Sequence, residues 1–307
     1  MVLVITNGRT TEIKMHKAGF VNIVGNPNVG KSTLMNQLVG ERISIATFKA
    51  QTTRHRIMGI VNTDDMQIVF SDTPGVLKPN YKLQESMLAF SESALQDADV
   101  LLYVTDVVEN PEKNMDFLEK VQKMTIPVLL LINKIDESDQ KTLGDIVEKW
   151  HELLPNAEIL PISAKNKFGV DMLLKRIQEL LPESPAFFDK DQLTDKPARF
   201  FVSEIIREKI LLYYDKEIPY SVEVRVERFK ETEKNIQINA IIYVERDSQK
   251  GIIIGRQGIA LKKVSTEARK ALEKFFVKPI YLETFVKVDK DWRNSQRELD
   301  NFGYNPE

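Results

Sequence analysis

The chain has 307 residues, which predicts two domains of ordinary size, and its 42% hydrophobic and 29% charged content is typical of a globular protein. It contains no cysteine, which excludes disulfide bonds, thiolate metal sites and thiol catalysis, and its three histidines are too scattered to predict a histidine metal site. The net charge is −2, yet residues 251–290 hold nine lysines and arginines against four acidic residues. That excess favours a polyanionic partner for this part of the chain.

The first predicted domain covers residues 17–181, after an N-terminal extension of residues 1–16 that lacks a signal-peptide cleavage site. Short apolar runs alternate here with amphipathic stretches, and none approaches the roughly 20 residues of a membrane-spanning helix. Strands are predicted at 19–24, 66–71, 99–105, 126–132 and 157–161, with helices between them, among others at 111–123 and 139–154. This alternation predicts a doubly wound α/β domain with a mostly parallel sheet.

The second predicted domain covers residues 198–290 and is joined to the first by a proline- and aspartate-containing linker at 182–197. The pattern predicts helices at 199–212 and 259–275 and strands at 221–229, 236–244 and 280–288. This α-β-β-α-β order indicates an α+β domain. A polar tail follows at 291–307, which can add a short helix.

A phosphate-binding loop is predicted at residues 25–32, which fit the pattern G-x-x-x-x-G-K-[ST] between a strand and a helix. Its glycines let backbone N–H groups face a phosphate, and the helix N-terminus favours an anion. Lys31 is expected to reach the β- and γ-phosphates, and the Ser32 hydroxyl to bind Mg²⁺. The predicted phosphate-binding residues are Gly25, Asn26, Pro27, Asn28, Val29, Gly30, Lys31, Ser32 and Thr33.

Two further segments carry candidate γ-phosphate and metal contacts. The polar loop Phe48–Arg56 can close over the γ-phosphate, where Thr53 or Thr52 completes a metal shell. Asp72 is expected to hold Mg²⁺ through water and Gly75 to offer its N–H to the γ-phosphate, although turn chemistry alone also explains Asp-Thr-Pro-Gly. The predicted site residues are Gln51, Thr52, Thr53, Arg54 and His55 in the first segment and Asp72, Thr73, Pro74, Gly75 and Val76 in the second, with Ser32, Thr53 and Asp72 as metal ligands.

The residues that select the nucleotide base are predicted in the segments that follow the fourth and fifth strands of this domain. The Asp136 carboxylate can accept both N1–H and N2–H₂ of guanine, a pair that adenine does not offer, so the pocket should reject ATP. The segment around Ala164 can bring a backbone N–H to guanine O6. The predicted guanine-binding residues are Asn133, Lys134, Asp136, Ser163, Ala164 and Lys165.

A G-x-x-G loop at residues 255–258 precedes the helix predicted at 259–275. Such a loop clamps a nucleic-acid backbone in KH domains, and the helix N-terminus faces the phosphates. On the residues alone, a generic turn explains the motif equally well. The predicted RNA-binding residues are Gly255, Arg256, Gln257, Gly258, Lys262 and Lys263.

These segments, in this order, resemble the TrmE-Era-EngA-type GTPases, and specifically the Era family of Ras-like GTPases with a C-terminal KH domain, over roughly residues 17–292. The resemblance implies a P-loop GTPase domain followed by a type II KH domain. It implies hydrolysis of GTP to GDP and phosphate with Mg²⁺. It also implies a K⁺ ion bound through Asn28 that acts like an arginine finger. Val76 stands where Ras-type enzymes carry a glutamine that orients water, so slow intrinsic turnover is expected.

The resemblance further implies a partner and a location. The expected partner is 16S ribosomal RNA near its 3′ end, within a maturing 30S subunit. We expect a monomer in the cytoplasm. The family is also described as peripheral on the inner face of the cell membrane, although the sequence contains no anchor motif. An alternative remains a signalling GTPase whose C-terminal domain docks a protein or membrane partner, against which the basic excess at 251–290 argues.

Overall fold

The computed structural model describes residues 2–6, 9–13 and 16–305 and divides the chain into two compact units. The first unit contains the described residues up to 44 together with 53–78 and 88–195. The second contains 45–52, 79–87 and the described residues from 196 onward. Two short segments of the predicted first domain are therefore grouped with the C-terminal part of the chain.

The first unit is built on a six-stranded sheet. An antiparallel hairpin of β1 (Val2–Thr6) and β2 (Arg9–Ile13) precedes it, so the predicted extension pairs with itself where it is described. The sheet strands are β3 (Lys17–Gly25), β4 (Ile57–Asn62), β5 (Met66–Asp72), β6 (Val100–Asp106), β7 (Val128–Asn133) and β8 (Glu158–Pro161), in the spatial order β4-β5-β3-β6-β7-β8. All neighbours are parallel except β4, which runs antiparallel to β5.

The predicted parallel sheet is confirmed, and the structure adds the edge strand β4, which the sequence pattern did not predict. Its residues, Ile-Met-Gly-Ile-Val-Asn, alternate poorly, and Gly59 lies in the middle of the strand. A Cβ at Gly59 would lie 2.3–2.8 Å from side-chain atoms of Ile43, Val39 and Met35, so these side chains would have to shift to admit a larger residue.

Two helix ends in this part of the chain have clear local signals. Asp139 precedes α4 and accepts hydrogen bonds from the amides of Lys141 and Thr142, and Gly40 ends α1 in a left-handed conformation. The helices are α1 (Lys31–Val39), α2 (Lys82–Gln96), α3 (Met115–Gln122), α4 (Gln140–Leu153) and α5 (Val170–Leu180). In the helices that the structure describes, no apolar stretch is long enough to cross a membrane.

The segment predicted as a linker packs on the first unit up to residue 195. The side-chain oxygen of Gln67 accepts hydrogen bonds from the amides of Phe187 and Phe188 at 2.7 and 3.0 Å. The Ile60 amide donates to the Leu193 carbonyl at 2.8 Å. Hydrogen bonds along residues 187–193 therefore hold the predicted linker on the first unit.

The second unit has a three-stranded sheet with the order β11-β10-β9. The central strand β10 runs parallel to β11 and antiparallel to β9. The elements are α6 (Ala198–Tyr213), α7 (Ile218–Ser221), β9 (Glu223–Glu231), β10 (Ile236–Val244), α8 (Asp247–Ile254), α9 (Ile259–Phe276), β11 (Ile280–Val288) and α10 (Gln296–Asn301). The even-numbered residues of β10 form a core with apolar residues of α6, α8 and α9 on one face of the sheet.

Two features of the second unit extend the predicted pattern. The helix α8 was not predicted, because its Gly-Ile-Ile-Ile ending has no helical periodicity and equally suits a strand. The predicted polar tail is anchored by Trp292, Leu299 and Tyr304, each at most 1% exposed, so most of it belongs to the folded unit.

Candidate functional site

The predicted phosphate loop connects β3 to α1 with backbone that only glycine adopts easily. Gly25 has a φ of 146°, and a Cβ there would lie 2.1 Å from the Val104 carbonyl oxygen. Gly30, at φ 98°, lies directly before α1. Lys31 is buried, and its Nζ donates to the carbonyls of Gly25 and Asn26 at 3.0 and 2.7 Å. Burial lowers the pKa of Lys31 to about 8 although Asp72 and Glu109 oppose the shift.

The other loop residues differ in their exposure. Val29 is buried, and its carbonyl accepts a hydrogen bond from the side chain of Asn133 at 2.8 Å. Asn28 is exposed and left-handed, at φ 66°. Pro27 packs against Gly75, where an added Cβ would meet it at 2.7 Å. Thr33 lies in the first turn of α1 and is partly buried.

The three predicted metal ligands lie together in the first unit. Ser32 Oγ donates to Asp72 Oδ2 at 2.7 Å and lies 2.8 Å from Thr53 Oγ1. Thr53 Oγ1 also donates to the same carboxylate oxygen at 3.3 Å. The other oxygen, Asp72 Oδ1, is buried and has no hydrogen-bond partner among the residues that the structure describes. Burial raises the pKa of Asp72, against hydrogen bonds from Ser44, Ser32 and Thr53 and the charge of Lys31.

The predicted segment 51–55 is divided between the units. In the first unit, Arg54 is fully buried and the His55 ring lies 5.9 Å from that of Phe90. In the second unit, Thr52 Oγ1 donates to the Lys49 carbonyl at 2.5 Å, and Gln51 accepts a hydrogen bond from the Tyr81 hydroxyl at 3.0 Å. Of the two threonines proposed as metal ligands, Thr53 is therefore the one beside Asp72.

The segment 72–76 follows β5 and packs tightly against β3. Thr73 Oγ1 donates to the Ile23 carbonyl at 2.8 Å, and the Pro74 carbonyl accepts from Ser91 Oγ at 2.8 Å. The Val76 amide donates to the Gly25 carbonyl at 3.1 Å, while its side chain is buried in an apolar cluster. A side chain so placed has no polar atom and no free space with which to hold a water molecule.

The predicted guanine-binding residues converge after β7 and β8. Asn133 links this region to the phosphate loop, because its Oδ1 accepts from the Ala164 amide at 2.9 Å while its Nδ2 bonds the loop. Ser163 Oγ donates to Asp136 Oδ1 at 2.6 Å, which lowers the pKa of that exposed carboxyl. Lys134 is left-handed and pairs with Asp106 at 2.6 Å, and Lys165 is exposed. The lowered pKa favours the anionic form of Asp136, which is the form that accepts hydrogen bonds.

The structure adds three residues that sequence reasoning missed. Ser44 Oγ donates to Asp72 Oδ2 at 2.5 Å. Glu109 accepts hydrogen bonds from the side-chain Nδ2 of Asn26 and from the Thr105 hydroxyl, and burial raises its pKa to about 7. Asn114 donates to Asn26 and to the Val76 carbonyl. None belongs to a motif, and only the fold brings them to the loop.

The G-x-x-G residues lie between α8 and α9 in the second unit. Gly255 and Gly258 are left-handed, at φ 69° and 75°, and a Cβ on Gly255 would lie 2.6 Å from that of Ala260. Arg256 and Gln257 are exposed between them. Lys262 and Lys263 are exposed on the first turns of α9, and the Lys263 Nζ lies 4.5 Å from the centroid of the Tyr213 ring. The loop thus presents backbone and positive charge beside a helix N-terminus.

Two protein-family models match the chain. Residues 20–134 match a family described as 50S ribosome-binding GTPase, and residues 217–293 match the KH domain family. These two matches fall on the two parts of the chain that carry the phosphate loop and the G-x-x-G loop.

The chain is similar along most of its length to curated proteins named GTPase Era. It is 44% identical to that of Clostridium kluyveri, over 94% of this chain and all of the relative. It is 45% identical to that of Syntrophus aciditrophicus, over 95% of this chain and 96% of the relative.

Two solved structures have a TM-score of 0.90 and 38% identity to this chain. One is Era in complex with MgGDPNP and nucleotides 1506–1542 of 16S ribosomal RNA, with 95% of this chain and all of the other aligned. The second is a single-residue variant of Aquifex aeolicus Era bound to GDP·AlF4⁻, with 94% of this chain and all of the other aligned.

Proposed function

Because the chain belongs to the Era family of GTPases, we propose that it hydrolyses GTP as a switch on 16S ribosomal RNA and assists assembly of the small ribosomal subunit. The observation that carries this proposal is the presence of both sites in one chain: the loop before α1 with its hydroxyl and carboxylate cluster, and the G-x-x-G loop between α8 and α9. A structural relative at 38% identity is bound to both MgGDPNP and 16S ribosomal RNA.

We propose that Ser32, Thr53 and Asp72 hold Mg²⁺. Hydroxyl and carboxylate oxygens are the ligands that Mg²⁺ prefers, and the buried Asp72 Oδ1, without a partner among the described residues, is an acceptor that a cation or its water would satisfy. The bound ion supplies charge neutralisation of the β- and γ-phosphates. Burial raises the pKa of Asp72, and a bound cation would oppose that shift by stabilising the anionic carboxylate.

The chain's own groups perform the remaining phosphate chemistry. Lys31 now donates to two loop carbonyls and can exchange these for phosphate oxygens without leaving the loop. The backbone N–H groups at the start of α1 stabilise the negative charge. Val76 offers no group to orient water, so turnover by this chain alone is expected to be slow.

For base selection we propose Asp136 as the acceptor of the two guanine donors. The hydrogen bond from Ser163 fixes its carboxylate, and the Asn133 bridge from the Ala164 amide to the Val29 carbonyl holds the pocket against the phosphate loop. Adenine would leave the carboxylate without its partners, which costs binding free energy.

We further propose that a K⁺ ion binds at Asn28. Asn28 is exposed at the tip of the phosphate loop, so its side-chain oxygen is accessible to an ion near the phosphates. Replacing K⁺ with Na⁺ at constant ionic strength should slow GTP hydrolysis by the wild type. The Asn28→Ala variant should be slow in either salt, whereas equal wild-type rates in both salts would remove the K⁺ ion from the mechanism.

For RNA binding we propose the loop 255–258 with Lys262 and Lys263. The left-handed glycines allow the backbone to approach phosphates, and the side chains between them point into open solvent. We also propose that the protein acts as a monomer in the cytoplasm. Its peripheral association with the membrane stays a prediction from the sequence resemblance.

The test is a charge reversal in this loop. Arg256→Asp with Gln257→Asp should weaken binding of an RNA of nucleotides 1506–1542 by tenfold or more, because two carboxylates would face the backbone. A matched control is Arg297→Asp with Gln296→Asp, the same two residue types exposed on α10. Fluorescence anisotropy measures RNA binding, and calorimetry measures GTP binding. The affinity for GTP should not change in either variant. Equal RNA affinity in a folded loop variant would favour a protein-docking role instead.

A further inference from the structure

The sheet of the second unit has an outer face that its helices do not cover. The even-numbered residues of β10 and β11 point to the core beneath α6, α8 and α9, so the odd-numbered residues point to the opposite face. Tyr281 and Phe285 are on that opposite face, and each is 55% exposed. Exposed aromatic residues four positions apart on one strand are about 13 Å apart, given a rise of about 3.3 Å per residue.

The strand register arranges this face in rows that run across the three strands. Each of the first three rows starts on β11, crosses β10 and ends with a cation on β9. The rows are Tyr281–Gln237–Lys230, Glu283–Asn239–Arg228 and Phe285–Ile241–Arg225, and we call these nine residues the outer sheet face.

The columns of the outer sheet face differ in chemistry. The column on β9 contains three exposed cations. Arg225 Nε lies 3.7 Å from Glu227 Oε1. Arg228 and Lys230 form no ion pair with any of the residues that the structure describes. The middle column provides the amide side chains of Gln237 and Asn239. The column on β11 provides two aromatic rings and Glu283, whose carboxylate accepts a hydrogen bond from the Tyr281 hydroxyl at 3.0 Å.

In the fourth row, the residues on β10 and β9 are covered by the chain itself, whereas the residue on β11 is exposed. This row contains Tyr243 between Lys287 and Glu223. The Phe302 ring lies 5.3 Å from that of Tyr243, and the Tyr304 hydroxyl donates to Glu223. The C-terminal segment thus places aromatic rings on one end of this sheet surface and stops short of the outer sheet face.

We propose that the outer sheet face binds single-stranded RNA, as a second site apart from the loop 255–258. Bases would stack on Tyr281 and Phe285, as they do on the aromatic residues of other RNA-binding sheets, and the phosphates would follow the cations of β9. The amides of Gln237 and Asn239 and the Glu283 carboxylate can bond base edges between them. The cation column selects a polyanion over an apolar protein segment.

A tryptophan reporter tests stacking directly in the full chain. The two native tryptophans, Trp150 and Trp292, are 1% and 0% exposed, so a third at an exposed position should dominate any response to a ligand. Tyr281→Trp and Phe285→Trp are each titrated with the single-stranded oligonucleotide A12, in the wild-type background and with Arg256→Asp/Gln257→Asp. We expect quenching of each reporter in both backgrounds, because the two sites bind separately.

Substitution gives the second measurement. Tyr281→Ala/Phe285→Ala should weaken binding of A12 by tenfold or more in the loop-variant background, given the usual contribution of one stacked base. Lys230→Glu should weaken it further, whereas Lys274→Glu, the same charge change exposed on α9, should not. Absence of quenching in both reporters, or unchanged affinity in the alanine variant, would overturn this site. It would leave the proposed loop site standing, since that site is tested by the loop variant alone.

Discussion

At the scale of single residues, three buried ionisable side chains with shifted pKa values lie around the phosphate loop of the first unit. These side chains are Lys31, Asp72 and Glu109. Burial lowers the pKa of Lys31 and raises the pKa of Asp72 and of Glu109, and each shift favours the neutral form of the group. A binding site for a charged nucleotide and a metal ion gains from such groups, because they recover favourable interactions when the ligand arrives.

Asp136 determines the base in our proposal, and its amide variant changes the specificity. Asp136→Asn should weaken GTP binding several-fold and improve binding of xanthosine triphosphate relative to GTP, because the amide offers one donor and one acceptor in place of two acceptors. Competition binding with GTP, xanthosine triphosphate and ATP measures this. The neighbouring exposed Glu137→Gln should leave all three affinities unchanged. Wild-type binding of ATP as tight as that of GTP would contradict the assignment.

Glu109 predicts a pH dependence of stability. Its folded-state pKa of about 7 lies above the ordinary value of 4.5, so the folded protein holds this proton more tightly than the unfolded chain. The resulting stability is fully present below pH 4.5 and is lost as the pH rises through 7. Glu109→Gln should therefore be more stable than wild type at pH 8 by about 1–3 kcal/mol and equal to it near pH 4.5.

Urea denaturation at several pH values across this range checks the prediction. The exposed Glu119→Gln is the control, and it should follow the wild type at every pH. A Glu109→Gln variant that also follows the wild type throughout would mean that the buried carboxyl titrates normally.

At the scale of elements, the segment that follows β5 belongs both to the proposed nucleotide site and to the apolar core. Val76 is buried with Val24, Leu101 and Tyr103, so Val76→Ala should destabilise the fold by about 1–2 kcal/mol through lost packing. Its GTP hydrolysis should stay within a few-fold of wild type at a temperature where the variant is folded. Ser32→Ala, which removes a proposed metal ligand, should reduce hydrolysis far more. A collapse of hydrolysis in folded Val76→Ala would show that Val76 acts in the chemical step.

Glycines in the helices and turns give predictions of opposite sign. Gly144 lies inside α4 with open space around the position of a Cβ, so Gly144→Ala should stabilise the protein by about 0.5–1 kcal/mol. Gly255 is left-handed and its Cβ would meet that of Ala260 at 2.6 Å, so Gly255→Ala should destabilise it. Thermal unfolding measures both. Equal shifts of the two variants would mean that the backbone relaxes at Gly255.

At the scale of the whole molecule, the second unit assembles from segments that are distant in sequence. Arg207 is fully buried on α6, pairs with Glu204 at 2.5 Å and donates to the carbonyls of Gln51 and Thr52. Lys49 likewise pairs with Asp215 at 2.9 Å. The segment 45–52 is thus held by hydrogen bonds to the C-terminal part of the chain.

Removal of the Arg207 guanidinium should have a large effect, because Glu204 would remain buried without its partner. We expect Arg207→Ala to lower the free energy of unfolding by about 3–5 kcal/mol. Arg207→Lys should restore only part of that loss, since an ammonium cannot bond the carboxylate and both carbonyls at once. Denaturant unfolding measures the change, with the exposed Arg297→Ala as the neutral control. A loss below about 1 kcal/mol in Arg207→Ala would show that water replaces the guanidinium.

The sequence by itself determined what depends on local pattern. Strand and helix periodicity fixed the parallel sheet, and the spacing of Gly25, Gly30, Lys31 and Ser32 indicated the phosphate loop, because its geometry is set within one strand, turn and helix. Strands β10 and β11 were predicted to the residue, because apolar core residues recur at every second position of β10 and at most of those positions in β11.

Only the tertiary structure decided what depends on contacts between segments far apart in the chain. Several contacts of this kind join residues more than 15 positions apart. They place Thr53 rather than Thr52 beside Asp72, bring Ser44 and Glu109 to the site, and pack residues 182–195 on the first unit. The outer sheet face likewise needs the register of three strands, which places Lys230, Gln237 and Tyr281 in one row. No local periodicity encodes such pairings, because side-chain partners across a fold are selected by packing and burial rather than by spacing.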